Sequence, residues 1–285
     1  MSSYTSNNGK KITVRDFRAK KEKGEPIAML TAYDYPVARA LDRAGIDSIL
    51  VGDSLGMVAL GYENTLPVTM DEMIHHCKAV ARGASRPLLI GDMPFGSYQA
   101  GPSDAVRNAV RFLQEGGMEA VKLEGGRAML PAIRAVIDAG IPVLGHLGLT
   151  PQSVHKFGGM RPQARSAESA RILLEDALLL EEAGVFAVVL ESIPARLAAL
   201  VSKRLVIPTI GIGAGAGCDG QVLVTNDLLG LYDRFTPRFV KQYAHLFDEM
   251  SRAFQAYRSD VQSRAFPAAE HTADMADEEW EKLLS

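Results

Sequence analysis

LLIGDMPFGSYQAGPSDAVRNAVRFLQEGGMEAVKLEGG, residues 88–126, decides the fold. Two short apolar runs, LLIGDMP (88–94) and AVKLEGG (120–126), flank a stretch centred on 103–116 whose apolar residues recur at helical spacing. Both runs are continuously apolar instead of alternating, as parallel strands covered on two faces are. The unit reads as strand, helix, parallel strand. The same pattern recurs at IAMLTAYD (27–34), SILVGDS (48–54), VLGHLG (143–148), AVVLES (187–192), VIPTIGIG (206–213) and QVLVTND (221–227). Further helices centre on 36–44, 70–82, 128–139, 168–183, 194–203 and 240–264. Eight such strands in a chain of this length predict the α/β class and a (β/α)8 TIM barrel, since an open doubly wound sheet would carry fewer strands and a second domain. No Pro/Ser/Gly linker divides the chain, so 1–285 is read as one domain, with an N-terminal helix and tail over 1–25 and an acidic, frayed C-terminal tail over 267–285.

The composition fits that reading and narrows the function. With 47% hydrophobic and 23% charged residues, the 285-residue chain is neither apolar-poor nor highly charged, which excludes disorder as its main state. Thirty-one Lys and Arg against thirty-four Asp and Glu leave a net charge of -3 and no basic stripe, so nucleic acid is not expected as a partner. Two cysteines, Cys77 and Cys218, suffice for neither a disulfide framework nor a tetrahedral thiolate site, and fit a reducing compartment. The opening MSSYTSNNGKK has no apolar leader segment, and no run approaches the roughly 18 apolar residues of a membrane span. A cytoplasmic location without a membrane partner is expected.

In a barrel the chemistry lies at the C-terminal ends of the strands, so the polar residues that interrupt each apolar run at its end carry the information. They are Asp53, Ser54, Asp92, Lys122, Glu124, His146 and Glu191. Any one alone reads as a capping or solvated loop residue. Seven at the same place in their units read as a site. Asp53, Asp92 and Glu124 offer hard carboxylate oxygens, the donor type that suits Mg²⁺. The competing reading has Asp53 capping the next turn and Glu124 paired with Lys122 on one strand face. Lys122 itself is read three ways: a neutralising charge, a grip on a substrate carboxylate, or a Schiff-base amine. Glu191 ends the run AVVL, where low dielectric favours a carboxylate that accepts protons. His146 is read first as a hydrogen-bonded pocket wall, and His75 and His76 as surface or packing residues. In GIGAGAGCDG, Gly215, Gly217 and Gly220 keep the G-x-G-x-x-G register but open no helix, so the segment reads as a loop built for close approach.

TAYDYPVA (31–38), VGDSLGM (51–57), TLPVT (65–69), GDMPF (91–95), VKLEGG (121–126), GHLGLTPQSV (145–154), LESIP (190–194) and IGIGAG (210–215) occur in the order found in one family. Together they resemble the ketopantoate hydroxymethyltransferase family, from about Pro26 to FPAAEH (266–271). The resemblance implies a TIM barrel of the phosphoenolpyruvate/pyruvate type. It also implies an enzyme that moves a hydroxymethyl group from 5,10-methylenetetrahydrofolate to α-ketoisovalerate (3-methyl-2-oxobutanoate) through a Mg-stabilised enolate, giving ketopantoate and tetrahydrofolate for pantothenate. Carried over position by position, Asp53 and Asp92 resemble direct Mg²⁺ ligands and Glu124 the third acid of the metal site. Ser54 and Lys122, with Asp53 and Asp92, resemble the keto-acid contacts, and Glu191 the general base. Two positions depart from the family pattern: Ser192 stands where some relatives have Cys, and Ala164 where Gly is expected.

The resemblance further implies a homodecamer, a pentamer of dimers, with the helix near 240–264 as a candidate contact. The pterin of the donor is expected at the rim near Asp92, Pro94, Phe95 and His146, with Phe95 either offering an apolar face or plugging the barrel beneath it. Two other readings share these residues: a lyase or mutase acting on a small 2-oxo acid without folate, and a non-catalytic metabolite binder.

Overall fold

The computed structural model describes residues 9–285. Eight parallel strands close in sequence order: β1 (Ile27–Thr31), β2 (Ser48–Val51), β3 (Leu88–Asp92), β4 (Ala120–Glu124), β5 (Val143–Gly148), β6 (Ala187–Glu191), β7 (Thr209–Ile212) and β8 (Gly220–Leu223), which pairs back onto β1. The expected (β/α)8 barrel is borne out. The helices are α1 (Val14–Lys23), α2 (Tyr35–Ala44), α3 (Leu55–Val58), α4 (Met70–Gly83), α5 (Pro102–Gln114), α6 (Leu130–Asp138), α7 (Val154–Phe157), α8 (Ala167–Ala183), α9 (Ala195–Arg204), α10 (Thr225–Leu228), α11 (Leu246–Ser263) and α12 (Asp277–Leu284). Local chemistry sets several of these starts. Asp34 accepts from Val37 N–H at the head of α2, and Thr69 and Glu72 form a reciprocal capping box at the head of α4.

Period-2 alternation sorts the strand residues into two cores. Leu89, Val121, Leu123, Val143, Val188 and Leu190 face outward and pack with Phe112, Ile133 and Leu180 of the helices. Leu88, Ile90, Ala120, Leu144, Ala187, Val189, Ile210 and Val222 face inward and meet Ile27 and Met29. Phe17 of α1 joins this inner cluster and stacks edge-on against Phe186, just before β6, so α1 closes the N-terminal end of the barrel. Hiding that one side chain contributes on the order of 2–3 kcal/mol. Gly91 shows how closely the layers approach: a Cβ there would meet the Phe112 ring of α5 at 2.2 Å.

Two segments differ from the sequence reading, and a third agrees with it. The helix expected over 240–264 begins only at Leu246, because the chain leading into it is tied elsewhere: the N–H groups of Tyr243 and of the first helical residues Leu246 and Phe247 donate to the carbonyls of Leu228, at the end of α10, and of Leu229 and Gly230 just after it. The acidic end, expected to be frayed, carries α12. Between β7 and β8 no helix forms; Gly215 and Gly217 lie against Ala195 and Ala199 of α9, where a Cβ would come within 2.5 and 2.7 Å. Those glycines serve close packing, as the loop reading expects. The N-terminal tail through residue 8 lies outside the described residues.

Candidate active site

The alternation that fills the barrel floor with Ile90, Ala120, Leu144 and Val189 puts Asp92, Lys122, Glu124, His146 and Glu191 directly above it. Strand register then sets who meets whom. Asp92 pairs with Lys122, Glu124 with His146, and Gly148 with Glu191. Lys122 Nζ donates to Asp92 Oδ1 at 2.5 Å and lies 3.9 Å from Glu124 Oε1, so its main partner is across the strand pair and not on its own strand. His146 stands between two acids, Nδ1 3.3 Å from Glu124 Oε1 and Nε2 3.2 Å from Glu191 Oε2. Neither contact is aligned as a hydrogen bond, so charge holds the ring in place.

Asp53 and Ser54 follow β2 at the mouth. Asp53 does not cap α3; its Oδ2 accepts from Gln152 Nε2 at 3.0 Å, and its backbone N–H donates to Asp92 Oδ2 at 3.2 Å. Ser54 Oγ shares a 2.9 Å hydrogen bond with the buried Tyr33 hydroxyl. All seven residues singled out from the sequence thus gather around one mouth. Asp53, Asp92, Lys122, Glu124 and His146 are buried, whereas the Glu191 side chain keeps 16% of its surface open. It is therefore paired with His146 and partly accessible, not isolated among apolar groups as the run AVVL suggests.

The electrostatics follow from burying three acids, with the partly open Glu191 beside them, against two bases. Burial, then the Asp92 charge, pushes the Asp53 carboxyl well above its ordinary range, and burial with Glu124 raises Asp92 despite Lys122. Burial alone would lower the Lys122 ammonium, but Asp92, Glu124 and Asp53 together hold it above its usual value. An amine held protonated is a poor Schiff-base nucleophile. Burial opposes the Glu124 charge, yet His146, Lys122 and Gln152 N–H bring its carboxyl below the usual range. For His146, burial and Lys122 oppose protonation, and Glu124 and Glu191 outweigh them, raising it to about 9.

Residues 11–269 match the sequence model of the ketopantoate hydroxymethyltransferase family. The chain belongs to that family. It is 56% identical over 268 residues to the 3-methyl-2-oxobutanoate hydroxymethyltransferase of Syntrophus aciditrophicus (strain SB), covering 94% of this chain and 98% of that one. To the protein of the same name from Moorella thermoacetica it is 57% identical over 262 residues, covering 92% and 97%. Among solved structures, a phosphonopyruvate hydrolase complex with oxalate and Mg²⁺ superposes with a TM-score of 0.60 at 11% identity, covering 93% of this chain and 92% of that one. A phosphoenolpyruvate phosphomutase from Streptomyces platensis subsp. rosaceus gives 0.60 at 15%, covering 92% of each. These neighbours share the fold of this chain.

Two positions where this member of the ketopantoate hydroxymethyltransferase family departs from the expected pattern have a backbone counterpart. Ala164 and Ser192 are both non-glycine residues at positive φ, 54° and 48°. Gln163 N–H, next to Ala164, donates to Ser192 O at 2.9 Å, which ties the β5–α8 connection to the end of β6. Beside this connection a cleft of about 380 Å³ opens outward from Glu124 and Gln152 between Phe95, Phe157, Ile172 and Asp176. Phe95 is 48% exposed, a wall of that cleft and not a plug under the rim. His76 Nδ1 lies 2.6 Å from Tyr33 O, a packing role.

Three side chains of the site were not singled out from the sequence: Tyr33, Tyr98 and Gln152. All lie inside or beside the quoted motifs, but none has a charge that interrupts an apolar run. Tyr98 OH donates to Gln152 Oε1 at 2.7 Å, and Gln152 N–H donates to Glu124 Oε2 at 3.0 Å.

The imidazolium between Glu124 and Glu191 gives a pH-dependent stability. Because its folded value is raised from 6.5 to about 9, its contribution is complete below pH 6.5 and lost as pH rises through 9. In metal-free buffer, His146→Gln is expected to cost most near pH 6, with the wild-type advantage shrinking by at most ~3 kcal/mol toward pH 10. Urea unfolding across that range checks this; a gap that does not change with pH contradicts it.

Proposed function

We propose that this chain transfers a hydroxymethyl group from 5,10-methylenetetrahydrofolate to 3-methyl-2-oxobutanoate, giving 2-dehydropantoate (ketopantoate) and tetrahydrofolate in pantothenate biosynthesis. The observation that carries the reading is the row Asp92, Lys122, Glu124, His146 and Glu191 along neighbouring strand ends. It sets a partly open carboxylate base beside a buried surplus of negative charge.

The site fits Mg²⁺. Asp53 and Asp92 repel each other in a buried setting, and Glu124 Oε1 is buried without a hydrogen bond, so a hard cation would relieve both. Among the described residues no three acidic, His or Cys side chains form a ready-made cage. An ion held by one or two carboxylates, with water and substrate oxygens completing its shell, needs none. Asp53 and Asp92 would hold it, with Glu124 as the third acid. Bound there, Mg²⁺ supplies Lewis-acid charge for a carbonyl oxygen that turns anionic as the neighbouring proton leaves.

The chain's own groups do the rest. Ser54 Oγ, oriented by Tyr33, and the Lys122 ammonium meet the keto acid's carboxylate. Glu191 accepts the C3 proton, and His146 beside it stabilises the carboxylate in the orientation shown. Water adds to the one-carbon unit and both of its C–N bonds to the folate break, the two nitrogens taking up protons, which leaves tetrahydrofolate and formaldehyde; the carbanion carbon then adds to the formaldehyde carbon, and its oxygen, derived from water, is protonated to the new hydroxyl. The cleft beyond Glu124 supports a place for the pterin, with Phe95 offering its ring face to a flat heterocycle.

We also propose a homodecamer, a pentamer of dimers. In support, α11 has no buried residue and exposes Phe247, Met250, Phe254, Tyr257 and Val261. We further propose a cytoplasmic location, with which two unpaired cysteines are compatible. Among the described residues no helix is long and apolar enough to cross a membrane.

Consumption of 3-methyl-2-oxobutanoate is expected to match release of tetrahydrofolate one for one, to stop in excess EDTA, and to fall about 10³-fold in Asp92→Ala. Turnover that proceeds equally well without the folate donor contradicts the transferase reading; full activity in EDTA, or substrate trapped on Lys122 by borohydride, contradicts the metal. Light scattering is expected to give an oligomer's mass; a monomer's mass at working concentration overturns the assembly proposal.

A further inference from the structure

We infer that Gln152 is the positioning residue that presents Asp53 and Glu124 to the cation. The inference rests on the Mg²⁺ reading above and adds to it a residue that contacts neither metal nor substrate in that scheme.

The argument begins with what a carboxamide can do: two N–H donors at one end and two acceptor lone pairs at the other. Gln152 uses all four. Its Nε2 donates to Asp53 Oδ2 at 3.0 Å and to Met93 O at 2.9 Å, while its Oε1 accepts from Tyr98 OH at 2.7 Å and Gln99 Nε2 at 3.1 Å. The side chain is buried, so each of these bonds is costly to lose.

The polarity of the network is fixed from outside the site. Gln99 Oε1 accepts from Gly96 N–H at 2.7 Å, and a backbone N–H can only donate. Gln99 must therefore turn its amide nitrogen toward Gln152, which must turn its oxygen toward Gln99 and its nitrogen toward Asp53. A flipped Gln152 would set amide oxygen against both a carboxylate and a carbonyl. The turn at residues 96–98 thus dictates, through two side chains, that Asp53 receives a donor on Oδ2 and keeps Oδ1 free.

Glu124 is held by the same residue through its backbone. Gln152 N–H donates to Glu124 Oε2 at 3.0 Å, and Oε1, the oxygen left over, is the buried atom without a hydrogen bond. One residue on the β5–α8 connection therefore engages one oxygen of each of two acids, and leaves Glu124 Oε1 without a hydrogen bond, with only the His146 and Lys122 nitrogens beside it at 3.3 and 3.9 Å. Partners of this kind around metal ligands change metal affinity about 10–100-fold when removed.

The test uses Mg²⁺ itself, titrated by calorimetry into metal-free full-length protein, with Gln152→Met keeping the length and losing every side-chain hydrogen bond. Mg²⁺ affinity is expected to fall about 10–100-fold, and keto-acid turnover to recover toward wild type as Mg²⁺ is raised, a recovery that general loosening of the fold would not give. Wild-type affinity in folded Gln152→Met overturns the assignment, as does lost turnover that no Mg²⁺ concentration restores. If that variant does not fold, Gln99→Ala on the surface carries the test: affinity weakened about threefold or more supports the network, and unchanged affinity overturns it. A wild-type chain that binds no Mg²⁺ overturns the metal reading along with it, which separates the two failures.

Discussion

The mouth of this barrel depends on one costly interaction, the buried ion pair of Lys122 and Asp92 at 2.5 Å, with Asp53, Glu124 and His146 packed around it. Removing charges from water costs several kcal/mol per ion even after relaxation, and pairing offsets that only with good geometry and further hydrogen bonds. Strand register supplies the geometry, because Asp92 and Lys122 are opposite one another in the β3–β4 ladder. The apolar floor below and the outer helical core supply the stability that lets the cluster persist. Four carboxylates facing one ammonium and one imidazole leave negative charge in surplus. That imbalance fits a protein completed by a cation and poor in reasons to exist as structure alone.

The chemistry proposed follows from the same imbalance. A cluster that repels its own charge favours a divalent ion, and an ion there draws electron density toward a keto acid's oxygens. Glu191 differs from the other acids in being the least buried, which leaves it open to a substrate proton. Family membership bears on the reaction as a whole, while the solved structures at 11–15% identity bear on the fold alone.

Much of this was legible because strands are local and their side chains alternate. LLI, AVKL and AVVL read as strands because they are short and continuously apolar, and the two-residue alternation of any strand then places Asp92, Lys122, Glu124 and Glu191 on the inner face at the C-terminal rim. The unread part is long-range or neutral. Gln152 reaches Asp53 across 99 positions, in a loop where nothing but folding sets its partner, and it carries no charge to flag it. Tyr33 and Tyr98 are likewise uncharged, and nothing in the local pattern separates a tyrosine of the site from one of the core. The early part of the helix expected over 240–264 was lost to backbone bonds with α10, a tertiary competitor no window of sequence contains. Ala164 was noticed only as an unexpected residue; its positive φ supplies the physical content, since glycine adopts that conformation without a Cβ penalty.

The central claim is that Glu191 removes the C3 proton at this site, and exchange of that proton tests it without the donor. With 3-methyl-2-oxobutanoate and Mg²⁺ in D₂O, NMR is expected to show catalysed loss of the C3 proton signal by the wild type. Glu191→Gln is expected to retain keto-acid binding and to slow exchange by about 10²-fold or more. Exchange at the wild-type rate in a Glu191→Gln protein that still binds the keto acid would contradict the account.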